Sequence, residues 1–458
     1  MDKAAFLKEL ADYVAIESVS AQPAHAQDCR RSAEWVAAKL KSLGMSVELV
    51  ETGGHPLVMG TYRVEGNAPH VVVYGHHDVQ PVDTAKESWK SPPFTLSERS
   101  GGLWARGVAD NKGPTLALIY GLAAALKKKP QVNITCLIEG EEEIGSKHLV
   151  ATLEKLAPRL GPVDAIVLSD TTSHSPKQLC VTTGTRGIMG FDIHVTALAR
   201  DLHSGNGGPV PNAARELARV VALLFDNEGR VTLPGFYDGM LIPNAEQVAG
   251  LKATNSQKNF ATQHGNRGFY PLAGTDPFVA NRFWPSLEVN GIHSGYDGEG
   301  SKTIIPAKAF AKITCRIAPG QDHEKFAKTV VAGVEALLDK TLFESSVDFH
   351  KKPMPAYSVP VPHLGGDAAG TPPSFKAIFQ AVHDSVKAVT GNAPMYVSEG
   401  ASIPVLPDLS RILKTHAIML GLAGEDSAMH SPDEKADIEM LSNGSDAWQK
   451  FFETVGGV

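Results

Sequence analysis

Cysteine is scarce in this 458-residue chain: Cys29, Cys136, Cys180 and Cys315 are the whole complement, and none forms a CxxC pair. That excludes a disulfide framework and a zinc–thiolate centre, and it points to buried reduced thiols. Positive charge is not in excess either. Lys and Arg number 43 against 50 Asp and Glu, a formal net charge of −7. The balance excludes the basic footprint of a nucleic-acid binder. No apolar run approaches the roughly 20 residues needed to cross a membrane. The N-terminal MDKAAFLKELADYVAIESVS carries charge throughout and lacks the apolar core of a signal peptide. Internal repeats and low-complexity tracts are also missing. The expectation is a cytoplasmic protein of more than one domain, without nucleic-acid or membrane partners.

What is present is patterned. Phe6, Leu10, Tyr13 and Val14 recur at helical spacing behind a capping Asp2, and a second helix is predicted over 28–43, stopped by Gly44. His70–Tyr74, Ile134–Ile138 and Asp164–Leu168 are short continuous apolar runs, the signature of strands covered on both faces. Helical stretches at 113–129 and 146–156 lie between them. Strand and helix in alternation predict an α/β domain with a largely parallel sheet. From about Gly187 the pattern becomes strand, helix, strand, strand, helix, strand, with strands near 191–195, 287–292, 308–316 and 346–350 and helices over 211–225 and 322–340. That is the ferredoxin-like α+β order, read as an inserted domain. Residues 361–373, rich in Pro and Gly, read as a linker; a helix over 374–390 and an amphipathic helix from near Glu434 follow. The predicted domains are 1–186 and 361–458, together forming the first, and 187–360, forming the second.

Candidate chemistry gathers at predicted strand ends. GHHDVQP (75–81) follows the first apolar run. Alternation along a strand sends His76 and Asp78 the same way, a metal ligand and the carboxylate that fixes its tautomer. GVADNKG (107–113) opens a helix, where Asp110 is either a cap or a bridging carboxylate. EGEEEIG (139–145) follows the second run. Carboxylates crowded there repel one another unless positive charge is present, and spacing does not choose among Glu141, Glu142 and Glu143. Asp170 ends the third run. Ligands of α/β sheets bind outside the carboxyl ends of the strands. Oxygen and imidazole donors without thiolate suit a divalent ion, zinc first, then manganese or cobalt.

As a set, GHHDVQP, ARGVADNKGP, EGEEEIGS, LSD, DLHSG, KTIIP, GASIP and HSPDEK resemble the zinc aminoacylase and dipeptidase superfamily across nearly the whole chain. Within it they are most similar to the branch of cytosolic nonspecific dipeptidase and carnosinase. The resemblance implies a di-metal catalytic domain with a lid or dimerisation domain inserted. His76 and Asp170 would hold one ion, Glu143 and His430 the other, and Asp110 would bridge them. Asp78 would orient His76, Glu142 would be the general base, and the 110–111 peptide bond would be cis. His203 would steady the oxyanion from the partner subunit of a homodimer. Arg316, Thr303 and Ser402 would grip the carboxylate of a small peptide substrate. Ser398 departs from the branch, which usually carries a basic residue there. An N-acyl amino acid deacylase would share every metal ligand, and a catalytically silent binding protein is the remaining rival.

Overall fold

The computed structural model describes residues 1–254, 256–359 and 373–457, so the linker expected at 361–373 lies, apart from Pro373, outside the described residues. The chain forms two compact units. The first comprises Met1–Thr183, Val359–Val397 and Val405–Val458; the second comprises Gly184–Ser358 with Ser398–Pro404.

In the first unit the apolar runs are the centre of a sheet. Strands lie in the order Ser46–Val50, Leu57–Tyr62, Asn133–Glu139, His70–His76, Ala165–Leu168, Ala417–Leu420 and Cys180–Thr185. Contacts from Asn133–Glu139 through Ala417–Leu420 are parallel, and those of the flanks are antiparallel. The α/β class with a largely parallel centre therefore holds. Every residue of His70–His76 is buried, as its unbroken apolar character requires of a strand covered on both faces. Helix Lys112–Leu126, apolar around most of its circumference, packs on helix Ile438–Thr454. A Cβ at Gly121 would stand 2.4 Å from the Ser445 carbonyl oxygen, so only glycine permits so close an approach. Asp2 caps helix Lys3–Val14 by accepting from the Ala4 and Ala5 amides.

One expectation is corrected at the C-terminal end. The helix does not begin near Glu434. A three-residue strand, Lys435–Asp437, comes first, and Asp437 caps the helix that starts at Ile438. Glu434 is held inside by polar partners described below.

The second unit is an antiparallel sheet in the order Ser286–Ser294, Lys308–Ile317, Gly187–Thr196, Glu344–Met354. Helices Ala213–Leu223 and His323–Leu337 complete the ferredoxin-like arrangement. Its core joins Phe191, Ile193, Ala311 and Ile313 of the sheet to Leu217, Val220, Val330 and Val334 of the helices. Along Lys308–Ile317 burial alternates strictly, and Arg316 stands on the face away from that core.

Candidate metal centre

The carboxyl ends of the parallel strands and the loops after them converge, as the sheet topology requires. His76 is the last residue of its strand. Its Nδ1 lies 3.0 Å from the Asp78 carbonyl and 3.3 Å from Asp78 Oδ1. That leaves Nε2 pointing at Asp110 Oδ1, 3.1 Å away, with Asp170 Oδ2 at 3.8 Å. The other oxygen of Asp110 lies 3.0 Å from His430 Nε2, which is also 3.1 Å from Glu143 Oε2. Two groups of potential ligands result, His76 with Asp110 and Asp170, and Asp110 with Glu143 and His430. Asp110 belongs to both and gives one oxygen to each. It does not cap the helix it precedes. The Asp110–Asn111 peptide is cis.

Three consecutive glutamates are separated by their partners. Glu141 turns away to His148 Nδ1 at 2.8 Å and the His55 amide at 3.4 Å. Glu143 takes His430 and the Gln80 amide, at 2.7 Å. No hydrogen bond or ion pair among the described residues engages the carboxylate of Glu142. All three lie in a short turn that Asp78 pins by accepting from the backbone amides of Glu142 and Glu143.

The electrostatics of this cluster call for positive charge. Burial, then repulsion from Asp170, Glu143 and Asp110 outweighing the attraction of His76, holds the Glu142 carboxyl well above its usual range. Burial and the charge of Asp110 push Glu143 up to about 7, and burial also raises Asp170. His430 is raised to about 10 by hydrogen bonds to Asp110 and Glu143; burial opposes charge on His76, but Asp110, Asp170 and Asp78 overcome it and raise it too. Glu143 Oε1 is buried without a hydrogen-bond partner among the described residues. A divalent cation would relieve each of these conditions at once. The donor set of imidazole and carboxylate with a shared aspartate fits two such ions.

A model described as peptidase family M20/M25/M40 matches residues 72–454. The chain belongs to this family. It is 30% identical over 98% of its length to the Beta-Ala-His dipeptidase of Rattus norvegicus, covering 92% of that protein. It is 28% identical over 96% of its length to the Cys-Gly metallodipeptidase dug1 of Schizosaccharomyces pombe, covering 93%. The crystal structure of human carnosine dipeptidase 1 superposes with a TM-score of 0.83 at 27% identity, covering all of this chain and 97% of that one. An M20 metallo-carboxypeptidase from Sulfolobus solfataricus gives a TM-score of 0.81 at 26% identity, with 99% of each chain covered. The chain is thus an M20 metallopeptidase.

Other residues of this M20 centre carry no ligand atom and were not singled out from the sequence. Asn111 donates to the Ser169 carbonyl at 2.7 Å and to Asp170 Oδ1 at 2.8 Å, fixing that carboxylate. Gln80 does the same for Glu143. Glu434, fully buried, pairs with Arg106 at 2.8 Å and accepts from the amides of Gly107, Ala109 and Asp110, at 2.8–3.0 Å. It is the inner anchor of the loop that presents Asp110. The signal was available in part: Gln80 lies in GHHDVQP, Asn111 in GVADNKG and Glu434 in HSPDEK.

In the second unit the remaining predicted residues form two pairs. Arg316 Nη1 donates to Ser402 Oγ at 2.9 Å. His203 Nε2 lies 3.5 Å from Thr303 Oγ1, while its Nδ1 accepts from the Gly205 amide at 3.0 Å. That bond places the ring proton of neutral His203 on Nε2, so an exposed histidine offers a donor outward.

Proposed function

We propose that this M20 chain is a dipeptidase, hydrolysing the peptide bond of dipeptides and similarly short peptides that end in a free carboxylate. The observation that carries the reading is Asp110, with one carboxylate oxygen turned to each of two ligand groups. The names of the relatives, Beta-Ala-His dipeptidase and Cys-Gly metallodipeptidase, supply the substrate class. His76 and Asp170 would hold one divalent ion, His430 and Glu143 the other, and Asp110 would serve both. Zinc is the first choice from the donor set, ahead of manganese and cobalt. When bound, the ions polarise the scissile carbonyl and acidify a water molecule.

The side chains do the rest. Asp78 orients His76 and steadies the turn that carries Glu142. Glu142, whose carboxylate has no competing partner, takes the proton of the attacking water and delivers it to the departing amine. His203 donates from Nε2 to the developing oxyanion. It does so across a homodimer built through the second unit, which acts as lid and dimerisation domain. Arg316, Ser402 and Thr303 hold the terminal carboxylate of the substrate, a task suited to a guanidinium fork.

The test is a substrate panel on metal-stripped protein reloaded in turn with zinc, manganese and cobalt. Dipeptides, including Cys-Gly and β-Ala-His, should be cleaved faster than N-acetyl and N-succinyl amino acids. Faster release of the acyl group would replace the dipeptidase by an N-acyl amino acid deacylase, with the same metal centre.

A further inference from the structure

Arg186 is a buried arginine of the second unit, only 5% exposed, with no carboxylate among the described residues within ion-pair reach. Burying an unpaired guanidinium is costly, so its retention asks for a reason. Burial, then the nearby charges of Arg316 and Arg282, push its pKa down to about 9. Its bonds are specific. Nε donates to the Gly400 carbonyl at 2.9 Å, and Nη1 donates to the Trp284 carbonyl at 3.1 Å and to Ser286 Oγ at 3.3 Å. Its backbone amide donates to the Ala401 carbonyl at 3.2 Å, and its own carbonyl accepts from the Ser402 hydroxyl.

One residue therefore grips three consecutive loop residues, 400–402, and reaches across to Ser286. Both ends of that reach adjoin Arg316. Ser402 accepts the Arg316 hydrogen bond, and Ser286 is the residue paired with Arg316 across the sheet. Gly400 leaves no slack, because a Cβ there would stand 2.6 Å from Asn281 Oδ1 and 2.9 Å from the Asn281 carbonyl.

We propose that Arg186 is a positioning residue for Arg316: its carbonyl accepts from the Ser402 hydroxyl, so that the Ser402 oxygen accepts from the Arg316 guanidinium and holds it toward the substrate carboxylate, and its own guanidinium adds a positive charge behind them. The proposal rests on the reading of Arg316 and Ser402 as the carboxylate grip. A lysine at 186 keeps the charge but cannot span from the 400–402 loop to Trp284 and Ser286 in the same way.

The experiment compares the metal-loaded full chain and its Arg186→Lys and Arg316→Ala variants on one dipeptide and on the same dipeptide as its C-terminal amide. For Arg186→Lys, KM for the free dipeptide should rise about tenfold with kcat within about threefold, while KM for the amide stays unchanged. Arg316→Ala should abolish the preference for the free carboxylate. If it does and Arg186→Lys leaves the preference intact, the inference is wrong and the grip stands. If Arg316→Ala leaves the preference intact, the grip itself is misassigned and the inference falls with it. Equal losses on both substrates, tracking a lowered melting temperature, would make Arg186 merely structural and overturn the proposal. Should Arg186→Lys fail to fold, Ser286→Ala, which removes one anchor of Arg186, carries the test: a preference reduced about twofold or more supports the proposal, and an unchanged one refutes it.

Discussion

Glu142 sits among charged groups yet its carboxylate has no hydrogen-bond partner among the described residues, which is the condition a shuttling base needs. Replacing it by Gln keeps size and shape and removes the site of protonation. Glu142→Gln should retain its full metal content by elemental analysis while kcat falls about a thousandfold. Substantial remaining turnover would move the base elsewhere. His70, at the opposite end of the same strand that carries His76, has a different role. Its Nδ1 lies 2.9 Å from the Pro162 carbonyl, and Nε2 lies 2.8 Å from Arg63 Nη1 and 2.9 Å from Thr135 Oγ1. Burial, then the charge of Arg63, lower its pKa from 6.5 to about 4. The unfolded chain therefore binds the proton first. The contribution of this group is complete above pH 6.5 and is lost as pH drops toward 4, about 3 kcal/mol in all. In metal-free protein, His70→Gln should flatten the pH dependence of the unfolding free energy across that window. An equally steep profile in the variant would assign the effect to other groups.

The elements show why the site was only partly legible in sequence. The runs at 70–74, 134–138 and 164–168 could be read as strands because burial on both faces leaves no polar alternation to confuse the period. Ser46–Val50 and Leu57–Tyr62, the antiparallel flank, carry mixed patterns and were not anticipated. His76, Asp110 and Asp170 were legible as chemistry at strand or helix ends. Choosing among Glu141, Glu142 and Glu143 was not, since the choice depends on the fold of the turn that brings His148 back to Glu141 and on Gln80 and His430, both distant in sequence. His430 itself lies in a loop at φ +61°, where no periodicity places a side chain. Glu434 is the sharpest case. Read as a helix start, it is instead buried, holding Arg106 and three amides of the Asp110 loop. Glu434→Gln leaves the Arg106 charge buried and unpaired. It should lower the stability of metal-free protein by about 3–5 kcal/mol. It should also weaken metal binding by about 10–100-fold, as loss of a ligand-orienting contact does. Calorimetric unfolding and a competitive zinc titration would measure the two, and unchanged zinc affinity would break the link between Glu434 and the pose of Asp110.

At the scale of the whole molecule, the two units divide the chemistry. The proposed metal ligands and base belong to the first, and His203, Thr303, Arg316 and Ser402 to the second. The proposed homodimer makes that division testable, because His203 would serve the partner's centre rather than its own. Glu142→Gln and His203→Ala dimers should each be nearly inactive. Co-expressed in equal amounts, the two variants pair at random, and half of the dimers are mixed. In a mixed dimer, one centre lacks both groups. The other has an intact Glu142 and receives an intact His203 from its partner. Half of the dimers with one working centre of two gives about a quarter of the unmutated activity. If His203 served its own subunit, every centre would lack one group or the other and no activity would return. Sedimentation of the unmutated chain must show a dimer at assay concentrations. Recovery near a quarter in the unsorted mixture, and near a half in mixed dimers isolated through two different tags, would then place His203 in the neighbouring active site, and its absence would return the histidine to its own chain.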